Sequence, residues 1–415
     1  MIRRTRRFIS TARFGGVLAL AMSAVALAAC STILGFDSVT LDNGDGGSGD
    51  GAQGDGTTSD SPAAIDGRTT DGPTADAQPE ASCANTTTDP LNCGRCGHNC
   101  YKGMCQASVC QPFALATGYL DTWDLAVDGT SVYFTSIFDN NIYKVSKFDG
   151  TNATKLADQP DVLAPFALTV DATSIYWTNH TATGEVRRCP ITGCPSSGST
   201  LLATANYPSG VVVSGGTVFW AANSGGEIAR GDTTDGGHPL VLFPASASGN
   251  PYQLATDVGY VYATDNMSGT TRRIPLDGGA VTTLSNNSVT SSSGIAIGTG
   301  GIFFTGGSFT DGIVWRITAA AFADGASATP FASSQHHPTG IAVDDTNVYW
   351  VATGVPDQNN GFVLTCPITG CMTPTVLATG QHYPVRIKVD ADAVYWTNNG
   401  QSMGRDGSVW KVAKP

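Results

Sequence analysis

Asp171-Ala-Thr-Ser-Ile-Tyr-Trp177 joins a tight turn to the start of an apolar run, and relatives of it return six more times. The aligned segments begin at Val127, Val170, Val213, Thr256, Ile297, Val343 and Val389, in steps of 43, 43, 43, 41, 46 and 46 residues. A period in the forties, with short apolar runs separated by Gly, Asn, Asp or Pro, predicts four-stranded propeller blades. In the second unit the expected strands are Phe166 to Val170, Ser174 to Thr178, Glu185 to Cys189 and Thr200 to Ala203. The fold class is therefore all-β, a seven-bladed β-propeller over residues 111–415.

Asp128, Asp171, Asp257, Asp344 and Asp390 open the turn between the first two strands of their units. Aspartate there bonds its own backbone two residues on, so these are expected turn-cappers rather than catalytic acids. The second strand carries a ring column: Tyr133, Tyr176, Phe219, Tyr262, Phe303, Tyr349 and Tyr395, with Trp177, Trp220, Trp350 and Trp396 next in line. Neighbouring blades cover both faces of a blade, so these rings are expected to fill the wedge between blades.

Ile175-Tyr-Trp-Thr-Asn179, Val394-Tyr-Trp-Thr-Asn398 and Tyr262-Ala-Thr-Asp265, with Arg272-Arg-Ile-Pro-Leu-Asp-Gly278 downstream, resemble the YWTD repeats of low-density-lipoprotein-receptor propellers. The resemblance covers residues 111–415 and implies fold rather than function, because propellers host many unrelated activities. Two copies carry Asn for the motif's Asp, and seven repeats stand where that family has six. The last unit stops at Pro415 without a fourth strand, while Gln111-Pro-Phe-Ala-Leu-Ala-Thr-Gly118 reads like Thr373-Pro-Thr-Val-Leu-Ala-Thr-Gly380 of unit six. The N-terminal strand is expected to complete the last blade and remove an open edge.

Residues 1–30 read as an export signal: Arg3, Arg4, Arg6 and Arg7, then a 16-residue apolar run from Phe14 to Ala29 that is too short for a comfortable span. Leu27-Ala-Ala-Cys30 resembles the bacterial lipobox, which implies lipidation at Cys30 and a membrane anchor. Ser31 after that cysteine points to the outer membrane. Residues 31–82 read as a disordered acidic Gly/Asp/Ser/Thr linker, with almost no large apolar side chain from 36 to 82. Aspartates 45, 50, 55 and 60 are too widely spaced for a calcium loop. As a flexible coil the linker reaches roughly 40 Å.

Cys83, Cys93, Cys96, Cys100, Cys105 and Cys110 form a cysteine-rich module at 83–110 whose Asn-Cys-Gly-x-Cys-Gly-x-x-Cys core resembles short modules of secreted proteins. Export and an even count favour disulfides. Zinc at Cys93, Cys96 and His98 is the alternative, and six cysteines leave fifteen pairings open. Cys189-Pro-Ile-Thr-Gly-Cys194 and Cys366-Pro-Ile-Thr-Gly-Cys371 each fall at the turn before a fourth strand, where local Cys189–Cys194 and Cys366–Cys371 bridges are the economical reading.

The formal net charge is −12, and removal of the five leader arginines takes it to −17. An acidic surface without a basic stripe argues against nucleic acid. Only three glutamates occur, Glu80, Glu185 and Glu227, and the chain has no Gly-x-Ser-x-Gly elbow, phosphate loop or His-Glu-x-x-His. No cofactor is expected. Loops between blades and between second and third strands open on one end of a propeller. There they place Tyr119, Asp121, Trp123, His180, Tyr207, Tyr252, His337, His382, Tyr383 and Arg386 as candidate ligand-binding residues. His336-His-Pro338 and His382-Tyr-Pro384 start blades six and seven, which suggests that His337 and His382 approach each other. The sequence thus predicts a lipid-anchored, non-enzymatic envelope protein recognising a protein or glycan. The alternative is a metal-assisted lyase or hydrolase at the channel mouth.

Overall fold

The computed structural model describes residues 85–244, 249–285, 291–308, 310–318, 328–355, 358–400 and 404–415. The expected leader, linker and Cys30, together with Cys83, lie outside the described residues. Among the described residues the strands form seven four-stranded antiparallel sheets and one short hairpin. In six of the sheets the strands follow each other in chain order. Blade two holds Pro165–Val170, Ser174–Asn179, Gly184–Pro190 and Thr200–Ala205. Its strands run slightly longer than expected because Pro165 and Asn179 still pair across the first ladder.

The seventh sheet carries the closure. Pro384–Val389, Ala393–Asn398 and Gly407–Ala413 take Phe113–Tyr119 as their outermost strand. The ring is stitched shut beside it. Lys147 Nζ lies 2.7 Å from Asp390 Oδ2, and Lys411 Nζ donates to the carbonyls of Lys147 and Phe148 at 2.8 and 2.7 Å. Burial lowers the Lys411 ammonium to about 8.

Every residue of the recurring motif has a structural task. In five blades the turn aspartate accepts two backbone N–H groups through Oδ1. Its Oδ2 takes the hydroxyl of the tyrosine five residues on, at 2.7–3.0 Å. The ring column is buried between blades, with every member at most 2 % exposed. The innermost strand of each blade slips register near its start, leaving a bulge. In four blades the motif threonine accepts the freed N–H: Thr135 from Asp124, Thr178 from Ala167, Thr264 from Gln253 and Thr305 from Gly294. The final Asn or Asp holds the loop between blades, as Asn179 does by bonding Asp161 O and Leu163 N.

The cysteine module is pinned by Cys93–Cys105 and Cys100–Cys110, and Cys96 is disulfide-bonded as well. Cys189–Cys194 and Cys366–Cys371 close their turns as expected. The zinc alternative loses its ligands to these bridges. His98 instead spans two carbonyls, Cys93 O at 2.6 Å and Lys414 O at 2.7 Å, and so fastens the module to the last strand of blade seven. The Tyr101 hydroxyl adds a 2.9 Å bond to Asp392.

Candidate functional site

One residue per blade stands just before the innermost strand: Asp121, Ala164, Tyr207, Asn250, Ser291, His337 and Tyr383. Each carbonyl accepts an N–H at the end of the second strand of its blade or just past it, at 3.0–3.3 Å. Five of these residues adopt positive φ between 48° and 57°: Asp121, Ala164, Tyr207, His337 and Tyr383. Such left-handed backbone costs roughly 1 kcal/mol or more for a non-glycine residue. It turns the chain abruptly into the channel, and the next residue is proline in five blades. The repeat step of 46 makes His337 equivalent to Tyr383, and His382 equivalent to His336. The two histidines expected to meet therefore occupy different positions in their blades.

Inside this ring the channel is filled. Trp123, Tyr252 and Arg386, expected on the open face, are 3 %, 0 % and 0 % exposed. Trp123 lies against Phe166 with ring centroids 5.2 Å apart, and Phe166 meets Tyr252 at 5.9 Å. The Arg386 guanidinium sits 5.1 Å from the Trp123 ring and 3.5 Å from Asp124 Oδ1. Residues at the strand start point inward across a narrowing channel, so large side chains there become a plug rather than a rim. Burial raises the Asp124 carboxyl to about 6 despite Arg386.

The rest of the candidate set sits at or near the rim. Asp121 is nearly buried, accepts the Asn399 side-chain amide, and has its carboxyl raised to about 7 by burial. His180 stacks on Phe166 at 4.4 Å and meets Tyr207 edge-on at 5.3 Å. Its Nδ1 donates to Pro208 O, and burial lowers its pKa. His337 bonds Thr353 Oγ1 at 2.8 Å, and burial lowers it to about 4. His382 bonds Asp406 Oδ2 at 3.0 Å. Tyr119 packs edge-on to Phe134 and Tyr143, and Tyr383 packs against the channel plug. Among the described residues, the only three metal-capable side chains with ligand atoms within 4.8 Å of one another are Cys93, Cys100 and Cys110, which are disulfide-bonded. The three histidines and Asp121 thus form no metal cradle.

Two openings stand out among the described residues. One, of about 520 Å³, lies at the opposite channel end among Asp128, Asp171, Asp390 and Lys147, whose charged groups are already bonded within the fold. The other, of about 630 Å³, lies on the mouth face between blades six and seven and reaches His382, Asn398, Asp406 and Trp410. The sequence points to His382 but not to Asn398, Asp406 and Trp410, which come from two strands and the loop between them. Five large apolar side chains are also exposed on loops of the mouth face: Phe138, Leu163, Tyr207, Met267 and Val355.

No family model and no curated protein matches the chain. Among solved structures, virginiamycin B lyase from Staphylococcus aureus superposes with a TM-score of 0.58 at 16 % identity, over 74 % of this chain and 99 % of that one. A streptogramin B lyase gives 0.57 at 15 %, over 73 % and 97 %. The WD40 repeats of RRP9 give 0.56 at 12 %, over 73 % and 97 %. Lyases and a WD40 protein fit about equally well, so the likeness shows a β-propeller and nothing about its activity.

Proposed function

We propose that this chain is a lipid-anchored envelope protein whose mouth face recognises a macromolecular partner, protein or glycan, without catalysis. The observation that carries this reading is the sealed channel ringed by exposed Phe138, Leu163, Tyr207, Met267 and Val355. A small substrate has no way into a channel filled by Trp123, Phe166, Tyr252 and Arg386, whereas a broad partner can lie across the rim. The lipobox at Cys30 and the acidic linker supply the anchor and the reach. The test is binding of the full chain to isolated envelopes. Phe138→Asp with Tyr207→Asp should abolish it, and Val258→Asp on the opposite face should leave it intact. Equal loss in both variants, or none in either, sinks the reading.

A second reading has one observation in its favour: Asp121, with its carboxyl raised to about 7, is suited to proton transfer. It would place lyase or hydrolase chemistry at the rim. Turnover of a small substrate lost on Asp121→Asn would establish it.

A further inference from the structure

The groove between blades six and seven is built differently from the rest of the face. Its volume of about 630 Å³ suits a ligand of two or three sugar rings. Two glycines form part of its wall, Gly118 and Gly380, in left-handed backbone at φ 91° and 68°. A Cβ at Gly118 would meet nothing within 4 Å, and one at Gly380 only Asn359 O at 3.9 Å. A flat backbone surface is thus left open to a ligand. The partly exposed Trp410 ring also lines the groove, its Nε1 donating to Ser408 Oγ at 2.9 Å.

Two buried polar atoms here have no hydrogen-bond partner: Asn398 Oδ1, on a residue only 3 % exposed, and His382 Nε2. Asp406 Oδ2 accepts from His382 Nδ1 at 3.0 Å, and Nε2 on the other side of the ring is left without a partner. The Asn398 oxygen asks for a donor, and the His382 nitrogen asks for a polar partner. An anion supplies no donor; the groove carries one charge of each sign, Asp406 and Arg405, and Arg405 is paired with Asp139 at 3.3 Å. A hydroxyl donates and accepts, so it answers both the Asn398 oxygen and the His382 nitrogen, while the Asn398 amide nitrogen already donates to Gln381 Oε1 at 3.0 Å. Hydroxyls on a ring with an apolar C–H face, which can lie on Trp410, describe a saccharide.

We infer, resting on the recognition reading above, that the groove between blades six and seven is a subsite for a neutral oligosaccharide. Trp410 carries the ring face, and Asn398 and His382 take its hydroxyls. The probes are maltotriose, cellotriose, chitotriose and tri-galacturonate, titrated against the oxidised full chain with Cys30→Ala and followed by calorimetry and saturation-transfer NMR. At least one neutral trisaccharide should bind, roughly tenfold or more weaker in His382→Ala and in Trp410→Ala. Should Trp410→Ala fail to fold, Trp410→Leu keeps the packing and removes the ring. Three outcomes overturn the inference: no neutral trisaccharide binds up to about 10 mM, binding is unchanged in both variants, or tri-galacturonate binds best. The paired Phe138→Asp and Tyr207→Asp changes should leave trisaccharide binding intact. Sugar binding without envelope binding would sink only the recognition reading; the converse would sink only this subsite.

Discussion

The hydroxyl of Tyr133 donates to Asp128 Oδ2 at 2.8 Å, and the same pair, five residues apart, recurs as Asp171–Tyr176, Asp257–Tyr262, Asp344–Tyr349 and Asp390–Tyr395. Burial alone raises a carboxyl, yet the turn amides and the tyrosine together hold Asp128 and Asp171 below the usual value. The two blades without the aspartate, at Ser214 and Gly298, carry Phe219 and Phe303 in place of tyrosine. Hydroxyl and carboxylate come and go together, because a buried hydroxyl without an acceptor costs about 1–3 kcal/mol.

Tyr176→Phe should therefore cost about 1 kcal/mol, and Asp171→Ala about 2 kcal/mol, since the aspartate also holds two turn amides. Urea unfolding of both single variants and the double variant should give a coupling of about 0.5 kcal/mol or more. Strict additivity would mean that the bond contributes nothing.

The converse is installable in blade three. Phe219→Tyr alone should destabilise by about 1–3 kcal/mol. Adding Ser214→Asp should recover most of that loss in thermal melts. A double variant no better than Phe219→Tyr would refute the pairing rule.

Asp121 predicts a pH effect with a definite sign. The folded chain keeps this proton to about pH 7, whereas the unfolded chain releases it near 4. Between those values the folded state binds more protons, so this group's stabilising contribution, full below about pH 4, is lost as pH rises through 7. His337, lowered to about 4, acts in the opposite sense up to the ordinary histidine value. The readout is therefore the difference between Asp121→Asn and wild type. It should shift in favour of the asparagine between about pH 4 and 7, by at most about 4 kcal/mol.

Closure rests partly on Lys411, whose ammonium serves two carbonyls of blade one. Lys411→Met keeps the length of the side chain but leaves both carbonyls unpaired, and should cost about 2 kcal/mol in chemical denaturation. Lys155→Met, which breaks only the exposed pair with Asp158, should cost less than about 1 kcal/mol.

The architecture was legible in the sequence because the ring recurs in every blade, and the turn aspartate and threonine in most of them, at steps of 41 to 46 residues. Even the exchange of the N-terminal strand showed, in the likeness of Ala116-Thr-Gly118 to Ala378-Thr-Gly380. The paired loss of Asp and Tyr is readable too, by comparing units. The face was harder. Spacing says which loops share an end of the channel, but not which side chains fit inside it, so Trp123, Tyr252 and Arg386 read as rim and fold as plug. His337 and His382 looked equivalent because each neighbours a proline, although the repeat step separates them. The groove at Asn398, Asp406 and Trp410 has no sequence signature, because its parts come together only when two blades pack.

The most direct test of the recognition reading is amide hydrogen exchange on the full chain with and without solubilised envelope extract. The account predicts slowed exchange at residues 137–140, 158–164, 206–207 and 266–270 on the mouth face, with the turns at 128–130 and 257–259 unchanged. Protection confined to those turns, or to the outermost strands, would contradict it.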